Sequence, residues 1–496
     1  HQGRGLFAAM NVEPADATWH DPATGLQTDG TGPIADIHST SEPSFREFTL
    51  FHQDQIPMWR GAAQGGTPVN PPAQVNDFNG GSGGRAINYR NEPFENRSAS
   101  DPASVFSSTV HGDPSTPVLK AYPGDPVVIR NVQGSQDSSH TFTLHGHRWR
   151  TQPDNPTSNL SDTEAINIAE WFNYVPDGGA NGVPQTTVGA GSPGDYLYGS
   201  STLDDQWLGM WGIFRVPASA VADLKELPGN AAPTNPGGPW PATAPATEGA
   251  PVAATPDPRP AGQGLDKCPA TAPTRSYSVA AIQRNIVYNA ANADEDPAGA
   301  TFVLSADADA VLSGAKPVTP LFLRAAAGEC LTVVLNNRLS PNGLPASPAD
   351  VVPIDSVPFP AGNRVSLHAG MVRTDVTRDD GTTVGYNYDQ TVAPGGTITY
   401  RWYVDPALEG SSINLMDFGN RIEHRHHGLY AGLLVEPAGS TWVHPTTGTP
   451  DTTGDRAVIR WTDANGAAHA VREFAVQWQD RLAILSNGAP VAKKGL

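Results

Sequence analysis

Apolar residues in this chain fall in short runs that alternate with polar ones, and Pro/Gly pairs separate the runs. "YPGDPVVIRN" from Tyr122 and "AAGECLTVVLNN" from Ala326 each open on Gly plus an acidic residue, continue through β-branched residues and end at Asn. Period-two alternation over such lengths, bounded by turn formers, predicts strands. Each run is followed by a Ser/Thr-Leu-His turn, "TLHG" at 143–146 and "SLHA" at 366–369. Next come a Pro-Gly turn and an alternating strand, "SPGDYLY" matched with "APGGTITYRWYV". Each series closes on a Gly-apolar-aromatic strand, "GMWGIFRVPA" from Gly209 and "GLYAGLLVEPA" from Gly428. The same order twice predicts two all-β domains of Greek-key sandwich or barrel type, over 45–220 and 275–445. Between them, residues 228–260 contain ten prolines among Ala, Gly and Thr. That composition predicts a semi-rigid extended linker, placed at 221–274.

A longer repeat overlies this one. "HQGRGLFAAMNVEPADATW" (1–19) returns as "HRHHGLYAGLLVEPAGSTW" (424–442), and "REFTLFHQDQ" (46–55) returns as "REFAVQWQDR" (472–481). The offsets, 423 and 426, make the unit a pair of domains. Residues 1–44 then read as the closing strand of a preceding domain plus a connector. Residues 446–496 read as opening strands of a following one. Lone strands expose backbone donors and an apolar face, so other polypeptide is expected to complete both ends.

Composition narrows the function. The 51 glycines and 47 prolines are about a fifth of 496 residues, which favours short strands over helices. A net charge of −19 repels phosphate backbones, so nucleic acid is an unsuitable partner. No apolar run approaches the roughly 20 residues that span a bilayer. The only two cysteines are Cys268, where the second domain begins, and Cys330, on its "GECLTVVLNN" strand. A disulfide between them is the leading reading, with two buried free thiols as the alternative; if formed, it implies an oxidising, extracytoplasmic location.

The chemistry concentrates in "HTFTLHGHRWR" (140–150). On a strand His145 and His147 share a face, while His140 points away unless a bend intervenes. Two imidazoles at i and i+2 with a third nearby suit copper or zinc.

The strand order, this segment and the "GLYAGLLVEPAGS" strand together resemble the multicopper oxidases built from cupredoxin domains. The tandem pairs are most similar to large six-domain members such as ceruloplasmin and bacterial manganese oxidases. The resemblance covers nearly the whole chain outside the linker. It implies that His140 falls on the histidine of a blue copper and His145 on a trinuclear-cluster ligand. Thr143 takes the place of a further cluster histidine, and His147 matches a trailing histidine that is not usually a ligand. Counting back from Met210, the family's axial Met, the cysteine position holds Ser200, flanked by Gly199 and Ser201 in place of histidines. The later histidine position holds Asp205. A hydroxyl cannot supply the thiolate that makes copper blue, so this site reads as erased. In the second domain His368 keeps one cluster position. His424, His426 and His427 precede the closing strand, where the family uses a cluster histidine; His1 is the equivalent one repeat earlier.

The resemblance implies a segment of a secreted copper oxidoreductase that couples one-electron oxidation of a metal ion or phenol to reduction of dioxygen to water. Further cupredoxin domains would supply the missing Cys-His bridge. Two rivals remain open: a non-catalytic cupredoxin scaffold or adhesion array, and a copper-binding or storage module without turnover.

Overall fold

The computed structural model describes residues 5–56, 58, 84–97, 101–135, 138–153, 155–176, 191–234, 267–345, 362–480 and 482–491. His1 and most of the Pro-rich stretch lie outside them. The chain forms two compact units: His1–Arg97 with Val105–Pro256 and Val384–Tyr388, and Ser98–Ser104 with Asp257–Thr383 and Asp389–Leu496.

In the first unit one sheet runs in the order Thr18–His20 (β1), Ile34–His38 (β2), Phe45–Ile56 (β3), Val127–Gln133 (β6), Trp171–Tyr174 (β11), with Gly84–Ile87 (β4) also on β3. The other runs Thr163–Ile166 (β10), His140–Leu144 (β7), Gly194–Gly199 (β12), Trp211–Val216 (β13), Val118–Lys120 (β5). Trp149–Arg150 (β8) and Leu160–Ser161 (β9) form a ribbon. In the second unit one sheet runs Ala300–Leu304 (β17), Thr274–Gln283 (β14), Cys330–Arg338 (β19), Thr397–Tyr403 (β21). Its mate runs Leu321–Ala326 (β18), Tyr430–Glu436 (β23), Ser412–Met416 (β22), His368–Ala369 (β20). A side sheet joins Ile286–Asn289 (β15), Asp294–Asp296 (β16), Leu485–Ser486 (β27) and Ala489–Pro490 (β28). Thr441–Val443 (β24), Arg456–Thr462 (β25) and Ala468–Phe474 (β26) form a separate three-stranded sheet.

Each unit uses one wiring. The first long strand runs parallel to the third, β3 with β6 and β14 with β19. The closing strand runs parallel to the short strand ahead of that third one, β13 with β5 and β23 with β18. This is the all-β, tandem cupredoxin-like architecture that the sequence predicts. One correspondence changes. "SPGDYLY" carries β12, which pairs with the closing strand, whereas "APGGTITYRWYV" carries β21, which pairs with β19. The partner of β12 in the repeat is therefore β22. A Pro-Gly turn before an alternating run marks a strand but not the sheet it joins, which only pairing decides.

Alternation places the core. In β6 every second side chain is buried, Val127 and Ile129 among them. Across the sheets of the first unit, Phe48 meets Phe214 edge-on at 6.1 Å and Phe142 stacks on Tyr174 at 5.0 Å. In the second unit Val279, Leu331 and Val333 face Leu323, Leu415 and Leu433. Each such side chain contributes about 1.5–3 kcal/mol of transfer free energy. β3 is covered on both faces, because Glu47 on its outer face binds Asn11 at 2.6 Å and also Arg130, which reaches Glu13 at 2.5 Å. Residues 5–17 lie along that face without forming a strand. Cys268 and Cys330 are joined in a disulfide with Cα atoms 5.8 Å apart, tying the approach to β14 to the start of β19. Among the described residues, no helix is long and apolar enough to cross a membrane.

Candidate functional site

In the first unit a polar node sits where β7 begins, β12 ends and the short helix Leu203–Trp207 leads into β13. His140 starts β7 and is fully buried. Its Nδ1 lies 2.7 Å from Asp205 Oδ2, and its Nε2 lies 2.8 Å from Ser135 Oγ and 3.5 Å from Asp54 Oδ2. Asp205 also accepts from Ser200 Oγ at 2.8 Å and from Arg85 Nε, on β4, at 2.9 Å. The backbone N–H of Ser200 donates to the carbonyl of Met210, and that of Met210 to the carbonyl of Asp205. The side chains of His140, Ser200 and Asp205 thus come together, and Met210 joins them through its backbone.

The electrostatics follow from burial. Desolvation alone would push His140 down, but the Asp205 charge and hydrogen bond, with Asp54, outweigh it and raise the imidazole to about 9. Burial would raise Asp205, but His140 and Arg85 hold its carboxyl well below the usual range. At neutral pH the node holds an imidazolium against the Asp205 carboxylate. His52, on β3, is buried with its ring centroid 6.3 Å from that of His140, edge-on. Neither of its ring nitrogens meets a hydrogen-bond partner among the described residues. Burial, then the His140 charge, lowers it to about 3, so it is neutral.

A blue-copper donor set does not fit here. The thiolate position is a serine, the second histidine position is a carboxylate, and both nitrogens of His140 are already engaged by protein.

The second unit has a node at the matching place. The backbone N–H of Leu429 donates to the carbonyl of His424, as Met210 does to Asp205. His424, on the short helix Glu423–His426, is fully buried. Its Nδ1 lies 2.8 Å from Asp417 Oδ2 and its Nε2 3.0 Å from the Gly362 carbonyl. Burial works against its charge, but Asp417 prevails and raises its pKa. By strand register the position matching Ser200 is Asp417, since Met416 pairs with Tyr430 as Gly199 pairs with Trp211; at Gly419, two residues on, a Cβ would lie 2.0 Å from the Arg364 carbonyl.

His427 spends Nδ1 on Asp296 at 2.7 Å and Nε2 on the Pro345 carbonyl at 2.9 Å. His424, His426 and His427 are therefore adjacent in sequence, yet His424 and His427 turn to different partners. His426 is buried, and its carbonyl accepts from Ala483. His368, on β20, directs Nδ1 to the Asp380 carbonyl at 2.7 Å and lies 3.3 Å from Asp380 Oδ1. His145 and His147 are not on a strand as their spacing suggests, because β7 stops at Leu144. Gly146 then takes φ +66°, where a Cβ would lie 2.8 Å from the Tyr196 ring, and the chain turns. His147 bonds the His145 carbonyl through Nδ1 at 3.0 Å and packs edge-on against Tyr196. Both histidines are buried.

Sequence reasoning missed His52, Asp54, Arg85, Asp296, Asp380 and Asp417. Only Asp54 leaves a trace, as the repeat places Asp480 at the same point. No family model matches this sequence, and no curated protein does. Among solved structures it is similar to a copper nitrite reductase from Nitrosomonas europaea (14% identity over 78% of this chain and 93% of that one, TM-score 0.22). It is also similar to a multicopper oxidase from Pseudomonas thermotolerans (12%, 82% and 66%, TM-score 0.21) and to a laccase from Botrytis aclada (13%, 78% and 63%, TM-score 0.21). At those TM-scores the fold rests on the pairing described above and not on the likeness.

Proposed function

We propose that these two sandwiches are frame domains of a secreted protein of multicopper-oxidase type, in which the blue-copper position has passed from metal to a buried ion pair. The observation that supports this is the His140–Asp205 contact beside Ser200, which fills the donor site with hydrogen bonds and supplies no thiolate. The Cys268–Cys330 disulfide supports an oxidising location. Copper bound by this chain would be held by histidines alone, with His145 and His368 occupying matching places in the two repeats. Turnover with dioxygen would then depend on domains that carry a thiolate ligand.

Loading the chain with Cu²⁺, followed by copper analysis, an absorption spectrum and oxidase assays on a phenol and on Mn²⁺, tests the reading. The expected outcome is no intense blue band and no turnover. Copper retained without turnover would make the chain a binding module instead, and turnover by the chain alone would overturn the frame role.

A further inference from the structure

The three-stranded sheet β24–β25–β26 repeats the opening of the first unit. β1, β2 and β3 pair antiparallel in that order, and so do β24, β25 and β26. Trp19 on β1 returns as Trp442 on β24, and Arg46–Glu47–Phe48 on β3 return as Arg472–Glu473–Phe474 on β26. One face is treated alike in both places. Glu47 shares Arg130 with Glu13, and Glu473 shares Arg324 with Glu436, the counterpart of Glu13. On that same face Trp442, Ala457 and Ile459 pack against Ala326.

The other face differs completely. Phe48, Leu50 and His52 form the sandwich core of the first unit at 1%, 0% and 0% exposure. Their counterparts Phe474, Val476 and Trp478 are 72%, 71% and 91% exposed. Among the described residues β26 pairs only with β25, and strand structure stops at Phe474, whereas β3 continues to Ile56 along its neighbours. Arg472 makes no ion pair among the described residues, while Arg46 holds Asp36 at 2.7 Å and Asp125, just ahead of β6, at 2.5 Å. Three large apolar side chains in alternation beside a free edge are what a soluble strand avoids unless something covers it.

We infer that the face carrying Arg472, Phe474, Val476 and Trp478, with the free edge of β26, is a docking surface for a β-sandwich polypeptide that contributes a strand of β6 type. The first unit specifies that strand's chemistry. It runs parallel to β26, alternates β-branched residues as Val127 and Ile129 do, and carries a carboxylate two residues before its first paired position to meet Arg472, Glu473 being already paired with Arg324. Main-chain pairing supplies affinity and the alternate side chains supply selectivity. The inference rests on the repeat and on exposure, and is independent of copper.

The probe is a labelled peptide of residues 121–135, "AYPGDPVVIRNVQGS", added to the intact chain. Saturable binding by fluorescence anisotropy is expected, with slowed hydrogen exchange over residues 468–480. A scrambled peptide, and a Phe474→Asp/Trp478→Asp variant of unchanged melting temperature, should bind at least tenfold more weakly. Because both side chains are exposed, the variant has no packing to lose. Absence of binding, equal binding by the variant, or protection of residues 468–480 by self-association of the chain alone would each overturn the proposal.

Discussion

The two sandwiches meet one structural demand with opposite polarity. Five residues ahead of Met210 and of Leu429, at carbonyls that accept the same backbone hydrogen bond, stand a carboxylate in one unit and an imidazole in the other. Asp205 draws its histidine from the start of β7; His424 draws its carboxylate from just past the end of β22. What is shared is therefore a buried polar point between strand ends, not a residue type. A buried charge there must be paired and hydrogen-bonded, and either arrangement achieves that. The units differ just past the strand end, where the first has Ser200 and the second has Asp417, with Gly419 two residues on leaving no room for a Cβ.

That difference yields the largest expected change, which is spectroscopic. A Ser200→Cys/Asp205→His variant places a thiolate and a second imidazole beside His140 and the buried Met210. It should gain an intense blue band with Cu²⁺, read by absorption. A Gly419→Cys change in the loop after Asp417 should instead fail to fold its unit, because the Arg364 carbonyl blocks the Cβ. A blue Gly419→Cys protein, or a colourless Ser200→Cys/Asp205→His protein of native melting temperature, would break the comparison.

Next in size is the loss of a carboxylate. Asp205→Asn leaves His140 and Arg85 without their shared counter-charge, and Asp417→Asn does the same to His424. Each should destabilise its own unit by about 3–5 kcal/mol, measured by hydrogen exchange resolved by unit. Equal loosening of both units from either change would show that the nodes are not local.

The pH dependence is smaller. His140 is raised above its ordinary value, so its stabilisation is complete below about pH 6.5 and is lost as pH rises through about 9, amounting to roughly 3 kcal/mol. His52 is lowered to about 3, so acid protonates the unfolded chain first and removes stability as pH falls below about 6.5. Stability of the first unit should therefore peak near pH 6.5, and Asp205→Asn should abolish the alkaline limb. Titration of the histidine ring protons by NMR checks both assignments.

The smallest effect concerns His52 itself. A neutral imidazole without a hydrogen-bond partner among the described residues costs desolvation, so His52→Leu should raise stability by about 1 kcal/mol, seen as a higher melting temperature.

The histidine-rich segment was legible as a site and illegible as a network. His140, Ser200, Asp205 and Met210 were located through the family resemblance, by counting back from the axial Met position. Asp54 and Arg85 were not, because β3 and β4 bring them in from 86 and 55 residues before His140 and nothing local marks them. The trio at 424–427 misled for the converse reason: adjacency in sequence on a helical turn sends His424 and His427 to Asp417 and Asp296 separately.

The sequence by itself determined the strand periodicity, the duplicated order and the fact that Cys268 and Cys330 are its only cysteines. These follow from residue identity and spacing, which operate over a few residues. Tertiary structure alone decided which sheet β12 and β21 join, which carboxylate each histidine meets, and which face of β26 stays bare. Those outcomes depend on pairing between strands far apart in the chain, where register and burial, and not local propensity, select the partner.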